Sequence, residues 1–212
     1  MSEYNKYKVI RNSISHEFAD FLNRYIFMKR TVAKTVYDLR YMKFEVVEFG
    51  LIKTPQVKVI SDECFGLYSD IVMETLLNDY LPFIKKVTGM ELYPTYSFAR
   101  IYGKGSILQR HTDRDSCTIS ISMNLGGDDW SFFIDPSGGK NKKGHDIKLK
   151  KTDMIIYDGA KYEHWREKFE GEFCTQVFLH YTNDKDYIYD EKLHLGLPKT
   201  NPFLKEKHGI VE

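Results

Sequence analysis

The chain has 212 residues and a formal net charge of +1. That length suits one domain able to bury roughly 70% of its unfolded surface, and so small a charge supplies no global field for nucleic acid or an anionic membrane. No apolar run approaches the roughly 20 residues of a membrane span, residues 1–8 are polar rather than leader-like, and three cysteines without metal-type spacing fit reduced thiols in a cytoplasmic protein.

Residues 6–10 read as a short strand. Phe18, Phe21, Leu22, Tyr25 and Ile26 then follow the i, i+3, i+4, i+7, i+8 pattern of an amphipathic helix. Ser13 or Ser15 offers an N-cap, and Glu17 falls in the first turn, where the helix dipole favours an acid. Residues 31–55 show no single period, with strand-like pieces around 44–49. A second helical region is expected over 62–87, from Phe65, Tyr68, Ile71, Val72, Leu76, Tyr80, Leu81 and Ile84. Pro82 is expected to kink or interrupt it, because proline removes a donor and crowds the preceding turn. Gly89 is a natural stop.

Beyond Leu92 the helical period disappears. Residues 97–102, 117–125, 130–134, 147–150, 154–157, 162–166 and 173–181 read as short strands. Gly126-Gly127-Asp128-Asp129 and Asp135-Pro136-Ser137-Gly138-Gly139 are turn clusters between them. In the second strand Ile119, Ile121, Met123 and Leu125 alternate with Thr118, Ser120, Ser122 and Asn124, the pattern of a half-buried strand. Strands this close together leave no room for crossover helices, so the sheet is expected to be mostly antiparallel. The 15 Tyr and 14 Phe suit a core built largely from sheet. The expected organisation is one domain over 1–212: helical support to about 91, a strand-rich core over about 92–182, and an irregular polar tail over 183–212.

The chemistry concentrates at His111-Thr112-Asp113. In extended backbone, residues i and i+2 project to the same face, so His111 and Asp113 can bind one metal ion while Thr112 points away. A third ligand from another strand would complete two imidazoles and one carboxylate, the facial set of non-haem Fe(II) oxygenases. His164 suits that role, because it follows a strand and turn over 154–159 and precedes the last apolar strand. His180, within Val177-Phe178-Leu179-His180-Tyr181, is the rival and reads better as a satisfied core histidine. His145 lies in a lysine-rich hairpin, and His16, His194 and His208 lie outside the strand-rich core. A plain reading of His111 and Asp113 as surface charges beside Arg110, Arg114 and Asp115 competes with the metal site.

Tyr102-Gly103-Lys104-Gly105 precedes the motif by five residues, and its glycines can supply a turn at positive φ. With that turn, the His-x-Asp and the strand after it, the chain resembles the Fe(II)/2-oxoglutarate-dependent dioxygenases, within them the prolyl 4-hydroxylase-like group, over about residues 92–181. The resemblance implies an α+β fold: a double-stranded β-helix, or jelly roll, with the N-terminal helices packed on one side. It implies Fe(II), 2-oxoglutarate and O2, with decarboxylation to succinate and CO2 coupled to hydroxylation of a small-molecule or peptidyl substrate, such as a prolyl or other amino-acid side chain. His111, Asp113 and His164 would be the metal ligands, and Tyr102 would help hold 2-oxoglutarate.

The family places a Lys or Arg about ten residues beyond the distal histidine, where it pairs with the distal carboxylate of 2-oxoglutarate. Here that window, residues 171–176, has no basic residue. Arg166 is the substitute: two residues past His164, it can share the inward face of the same strand, and guanidinium suits bidentate carboxylate binding. Pairing with Glu167 outside the site is the competing role. Gln176 can add a polar contact, and Arg100 and Arg114 are reserve anchors. Trp130 and Trp165 fit either the substrate mouth or the core. The lysines at 140, 142, 143, 148, 150 and 151 fit a solvated strand edge better than a nucleic-acid strip. A nucleic-acid demethylase is disfavoured, because the paired arginines of those relatives reduce here to Arg166. Two other readings stay open: a cupin-like metal enzyme that does not use 2-oxoglutarate, and a non-catalytic jelly-roll binding module.

Overall fold

Residues 6–38, 57–58, 64–138 and 142–186 are described by the computed structural model. Among them the order is β1 (Tyr7–Ile10), α1 (His16–Asp38), β2 (Val57–Lys58), β3 (Phe65–Tyr68), α2 (Ile71–Thr88), β4 (Tyr93–Gly103), β5 (Ile107–His111), β6 (Ile119–Gly127), β7 (Phe132–Asp135), β8 (His145–Ile147), β9 (Met154–Tyr157), β10 (Glu163–Arg166) and β11 (Phe173–Thr182). The larger sheet runs β1-β9-β6-β11-β4-β3 and the smaller β2-β5-β10-β7-β8. Every pairing between these strands is antiparallel. Helices on one face and a second sheet on the other make this an α+β double-stranded β-helix.

The two faces of the larger sheet have different partners. Ile121 and Met123 of β6, Val177 and Leu179 of β11, and Ala99 and Ile101 of β4 meet Leu22 and Ile26 of α1 and Met73 and Leu77 of α2. Removing this apolar surface from water is the main stabilising term, about 25 cal/mol per Å2 buried. On the opposite face, Phe132 and Ile134 of β7 pack against Ile155 and Tyr157 of β9, and Tyr102 packs with Leu108, Trp130 and Phe178. The polar row of β6 therefore does not face solvent as its alternation implies: Ser120, Ser122 and Asn124 are all buried, because the smaller sheet closes over them.

The helix ends follow local chemistry. Ser15 Oγ accepts from the Phe18 backbone N–H at 3.1 Å, which makes Ser15 the cap of α1. Asp70 caps α2 by accepting from the Val72 N–H at 3.0 Å, and Gly89 ends it at φ +70°. The second helix is shorter than its apolar spacing implies. Phe65–Tyr68 is a strand paired with β4, and Ser69 at φ +47° with the Asp70 cap delays the helix to Ile71. Pro82 does not interrupt it: α2 is continuous over Ile71–Thr88 with Pro82 on its exposed side, where the acceptor left without a donor can face solvent. α1 runs on through residues 31–38, which the sequence left without a period. The strand-like pieces at 44–49, Lys140, His194 and His208 lie outside the described residues. Among the described residues no helix is long and apolar enough to cross a membrane.

Candidate functional site

The turn after β4 contains Gly105 at φ +84°, a conformation glycine adopts without penalty, and it sends the chain into β5. β5 ends on His111, which stands directly opposite His164 of β10 in the antiparallel register. That pairing brings two histidines 53 positions apart into ring contact, with centroids 4.3 Å apart. Asp113 lies just beyond β5 rather than within it, held by its backbone N–H donating to Gly159 O at 2.8 Å. Its Oδ1 sits 3.6 Å from His111 Nε2 and 3.5 Å from His164 Nε2. Cis ligand atoms around an octahedral first-row ion stand about 3 Å apart, from bonds of about 2.1 Å, so a small inward movement would let one ion take all three.

Hydrogen bonds on the far side of each ring prepare this donor set. His111 Nδ1 lies 2.7 Å from Gln109 O, and His164 Nδ1 lies 3.0 Å from Tyr162 O. A carbonyl only accepts, so each Nδ1 carries a proton, which leaves each Nε2 as the atom that would offer its lone pair to a bound metal. Burial would raise the Asp113 carboxyl, but His164 and His111, with His180 farther off, outweigh it and hold the carboxyl well below its ordinary value. Asp113 is thus a carboxylate. The His164 side chain is nearly inaccessible at 3%, whereas His111 and Asp113 keep 18% and 14%, so the centre opens to solvent on their side.

Arg166 occupies the same interior. The burial of β10 alternates so that His164 and Arg166 both point inward, and Arg166 is fully inaccessible. Its Nη1 donates to Trp130 O at 2.5 Å, and its Nη2 donates to Gln176 Oε1 at 3.3 Å and Ser122 Oγ at 3.4 Å. Its Nε is buried without a partner, and among the described residues no carboxylate pairs with it. Glu167 takes a hydrogen bond from Trp165 Nε1 instead. Phe132 joins the two halves of the site: its ring stacks on His164 at 5.7 Å and lies 5.3 Å beneath the Arg166 guanidinium. A buried guanidinium without an anion is costly, and burial lowers its proton affinity. The arrangement is suited to an anion arriving from solution.

The remaining expected residues divide between this interior and elsewhere. Tyr102 is buried edge-on to Trp130 at 5.0 Å, with Arg100 and Arg166 both near its hydroxyl. Gln176 is buried and spends its carbonyl oxygen on Arg166 and Ser122, which makes it a support for the cation. Arg100 points inward from β4 and packs over Tyr102, whereas Arg114 is exposed and caps the Tyr96 ring at 4.4 Å. Trp130 belongs to the core. Trp165 lies on the outer side of the smaller sheet, stacked on Phe133 and under Arg110. Of the lysines in the basic hairpin, Lys148 reaches Ser131 and Asp146, and Lys151 pairs with Asp20. Cys64, Cys117 and Cys174 are free and buried.

Two residues were not read from the sequence as part of the site. Tyr157 is buried edge-on to His164 at 4.8 Å, with Asp113, Cys117, Arg166 and Tyr102 as electrostatic neighbours. Ser120 donates to Asp113 Oδ2 at 2.6 Å and lies 2.9 Å from His180 Nδ1. The signal for Ser120 was the polar alternation of β6, which looks the same whether the row faces water or a closed interior. Asp113, Cys117 and His180 also bring donor atoms within 4.8 Å of one another. Burial and the nearby Asp113 push the Cys117 thiol up to about 12, however, which makes it a poor ligand beside the His111–Asp113–His164 set.

No protein-family model and no curated protein sequence matches the chain. Solved structures do. The non-heme alpha ketoglutarate dependent epimerase SnoN from nogalamycin biosynthesis superposes with a TM-score of 0.57 at 10% identity, covering 94% of this chain and 93% of its own. HygX from Streptomyces hygroscopicus, crystallised with nickel and 2-oxoglutarate, gives 0.56 at 11%, covering 85% and 84%. The viral collagen prolyl hydroxylase vCPH from Paramecium Bursaria Chlorella virus-1, a 2-oxoglutarate complex, gives 0.55 at 13%, covering 83% and 95%. The chain has the double-stranded β-helix fold of the 2OG-Fe(II) oxygenases, prolyl hydroxylases among them. An epimerase and a hydroxylase share that fold, so the fold does not select the reaction.

Proposed function

We propose that the chain is an Fe(II)- and 2-oxoglutarate-dependent dioxygenase that hydroxylates a small-molecule or peptidyl substrate and releases succinate and CO2. The observation that carries this reading is the combination, within one buried interior, of two imidazoles and a carboxylate around one point and a fully buried guanidinium with no carboxylate partner among the described residues. His111, Asp113 and His164 hold the metal through Nε2, Oδ1 and Nε2. Arg166, braced by Gln176 and Trp130 O and flanked by Tyr102, receives the distal carboxylate of 2-oxoglutarate. Bound Fe(II), with 2-oxoglutarate and O2, supplies the oxidising equivalent for C–H hydroxylation.

The chain's own residues keep that chemistry dry and oriented. Phe132, Tyr157 and Trp130 exclude water around His164 and Arg166, which strengthens each charge interaction there. The exposed edges of His111 and Asp113 mark the side from which substrate approaches. Prolyl and other amino-acid side chains are the first substrate class to test. A cupin-like metal enzyme without 2-oxoglutarate gives Arg166 no counter-ion, and a binding module gives the ligand set no work. The test is succinate release by purified protein, with and without Fe(II) and 2-oxoglutarate. Slow release that needs both supports the reading; a metal-dependent activity indifferent to 2-oxoglutarate replaces it with the cupin-like one.

A further inference from the structure

Behind Asp113, on the side away from the two metal-facing imidazoles, a second pair of residues is in place. Ser120 of β6 and His180 of β11 are register partners across the larger sheet, and both point inward. Ser120 Oγ donates to Asp113 Oδ2 at 2.6 Å and meets His180 Nδ1 at 2.9 Å. A serine hydroxyl has one proton and a carboxylate only accepts. The proton on Ser120 therefore goes to Asp113, and His180 must donate through Nδ1–H. The chain of donation runs from His180 to Ser120 to Oδ2, while Oδ1 remains for the metal.

Two further features hold this direction. The His180 ring is clamped by stacking on Tyr96, with centroids 4.5 Å apart and planes 28° from parallel. Gly159, whose carbonyl already fixes the Asp113 backbone, leaves the space that Ser120 Oγ and Asp113 Oδ2 occupy. A Cβ on Gly159 would meet both oxygens closer than real Cβ atoms approach, so any larger residue there must displace both. From this geometry we propose that Ser120 and His180 are positioning residues that commit Asp113 to one-oxygen ligation of the metal, with Gly159 as the space that permits it. The inference rests on the metal centre proposed above.

The test is titration of the full-length apoprotein with Co(II), anaerobically and without 2-oxoglutarate, reading both affinity and the visible ligand-field spectrum. Ser120→Ala should weaken Co(II) about 10- to 100-fold, the usual effect of removing a group that orients a metal ligand. Its spectrum should change as Oδ2 becomes free to bind. His180→Asn keeps an N–H donor near the Nδ1 position and should retain most of the affinity. His180→Phe keeps the ring stack but loses the donor, and should fall toward Ser120→Ala. If Ser120→Ala does not fold, the contrast between the two His180 variants decides alone. Wild-type affinity and spectrum in Ser120→Ala, or equal affinities in His180→Asn and His180→Phe, would overturn the inference. His164→Ala separates this from failure of the metal centre: loss of Co(II) binding there keeps the centre standing, and retention there overturns both.

Discussion

The two faces of the larger sheet are built from the same strands and do opposite work. Ile121, Met123, Val177 and Leu179 face the helices and make the fold stable. One residue away in each strand, Ser120, Ser122, Gln176 and His180 face inward and are as deeply buried, yet they hold a carboxylate and a guanidinium in place. Burial alone does not separate core from site in this molecule; side-chain parity along the strand does. Substitutions on one face should therefore change stability and leave the site's affinities intact, and the reverse should hold on the other face.

The strongest test of that separation is His164→Ala or Asp113→Ala. Each should abolish tight Fe(II) binding while the apoprotein melts close to wild type, as isothermal titration and thermal denaturation would show. Retained binding in the His164 variant, with loss in His180→Ala, would move the third ligand to β11. On the helix side, Met123→Ala should cost about 2–5 kcal/mol in chemical denaturation. The folded fraction of that variant should bind metal normally.

Arg166→Ala should raise the 2-oxoglutarate requirement roughly 30-fold or more, from about 2–5 kcal/mol for truncating one member of a buried charge pair. Fe(II) affinity should stay near wild type, and apoprotein stability should hold or rise, because a buried guanidinium with no carboxylate partner among the described residues has gone. Arg166→Lys should rescue part of the effect, since it keeps the charge and loses the fork. Arg100→Ala and Arg114→Ala are the controls, and a 2-oxoglutarate defect there without one in Arg166→Ala would reassign the anchor.

The smallest effect concerns the thiols. Native protein at pH 8 should resist alkylation at Cys117, whose thiol is pushed up to about 12 by burial and by Asp113. Denaturation without reductant should then release all three thiols. The sign follows for stability: the folded value lies above the ordinary value near 8.5, so Cys117 makes the fold less stable as pH rises from about 8.5 toward about 12.

Much of this was legible in the chain. The period-2 run of β6, the turn at Gly105 and the spacing of His111 and Asp113 are local signals, and local geometry realised them. Arg166 was legible because two residues past His164 is the same face of one strand. What stayed hidden depends on contacts between distant segments. Nothing near His111 says that His164 is its register partner, and nothing in β10 says that no acid among the described residues pairs with Arg166. β3 was read as helix because Phe65 and Tyr68 also satisfy helical spacing; its pairing with β4 and the cap at Asp70 decided otherwise. Ser120 carried no local mark, since its row is inside only because a second sheet covers it.

On the proposed reading, one interior holds a metal and a 2-oxo acid together, with the acid's far carboxylate on Arg166. Anaerobic titration of Fe(II)-loaded protein with 2-oxoglutarate reads this directly, since chelation of Fe(II) by the oxo acid produces a weak visible charge-transfer band. The band should saturate in wild type, require roughly 30-fold more 2-oxoglutarate in Arg166→Ala, and be absent in His164→Ala. Tight Fe(II) binding with no band at any 2-oxoglutarate concentration would mean that this interior binds a metal without the 2-oxo acid.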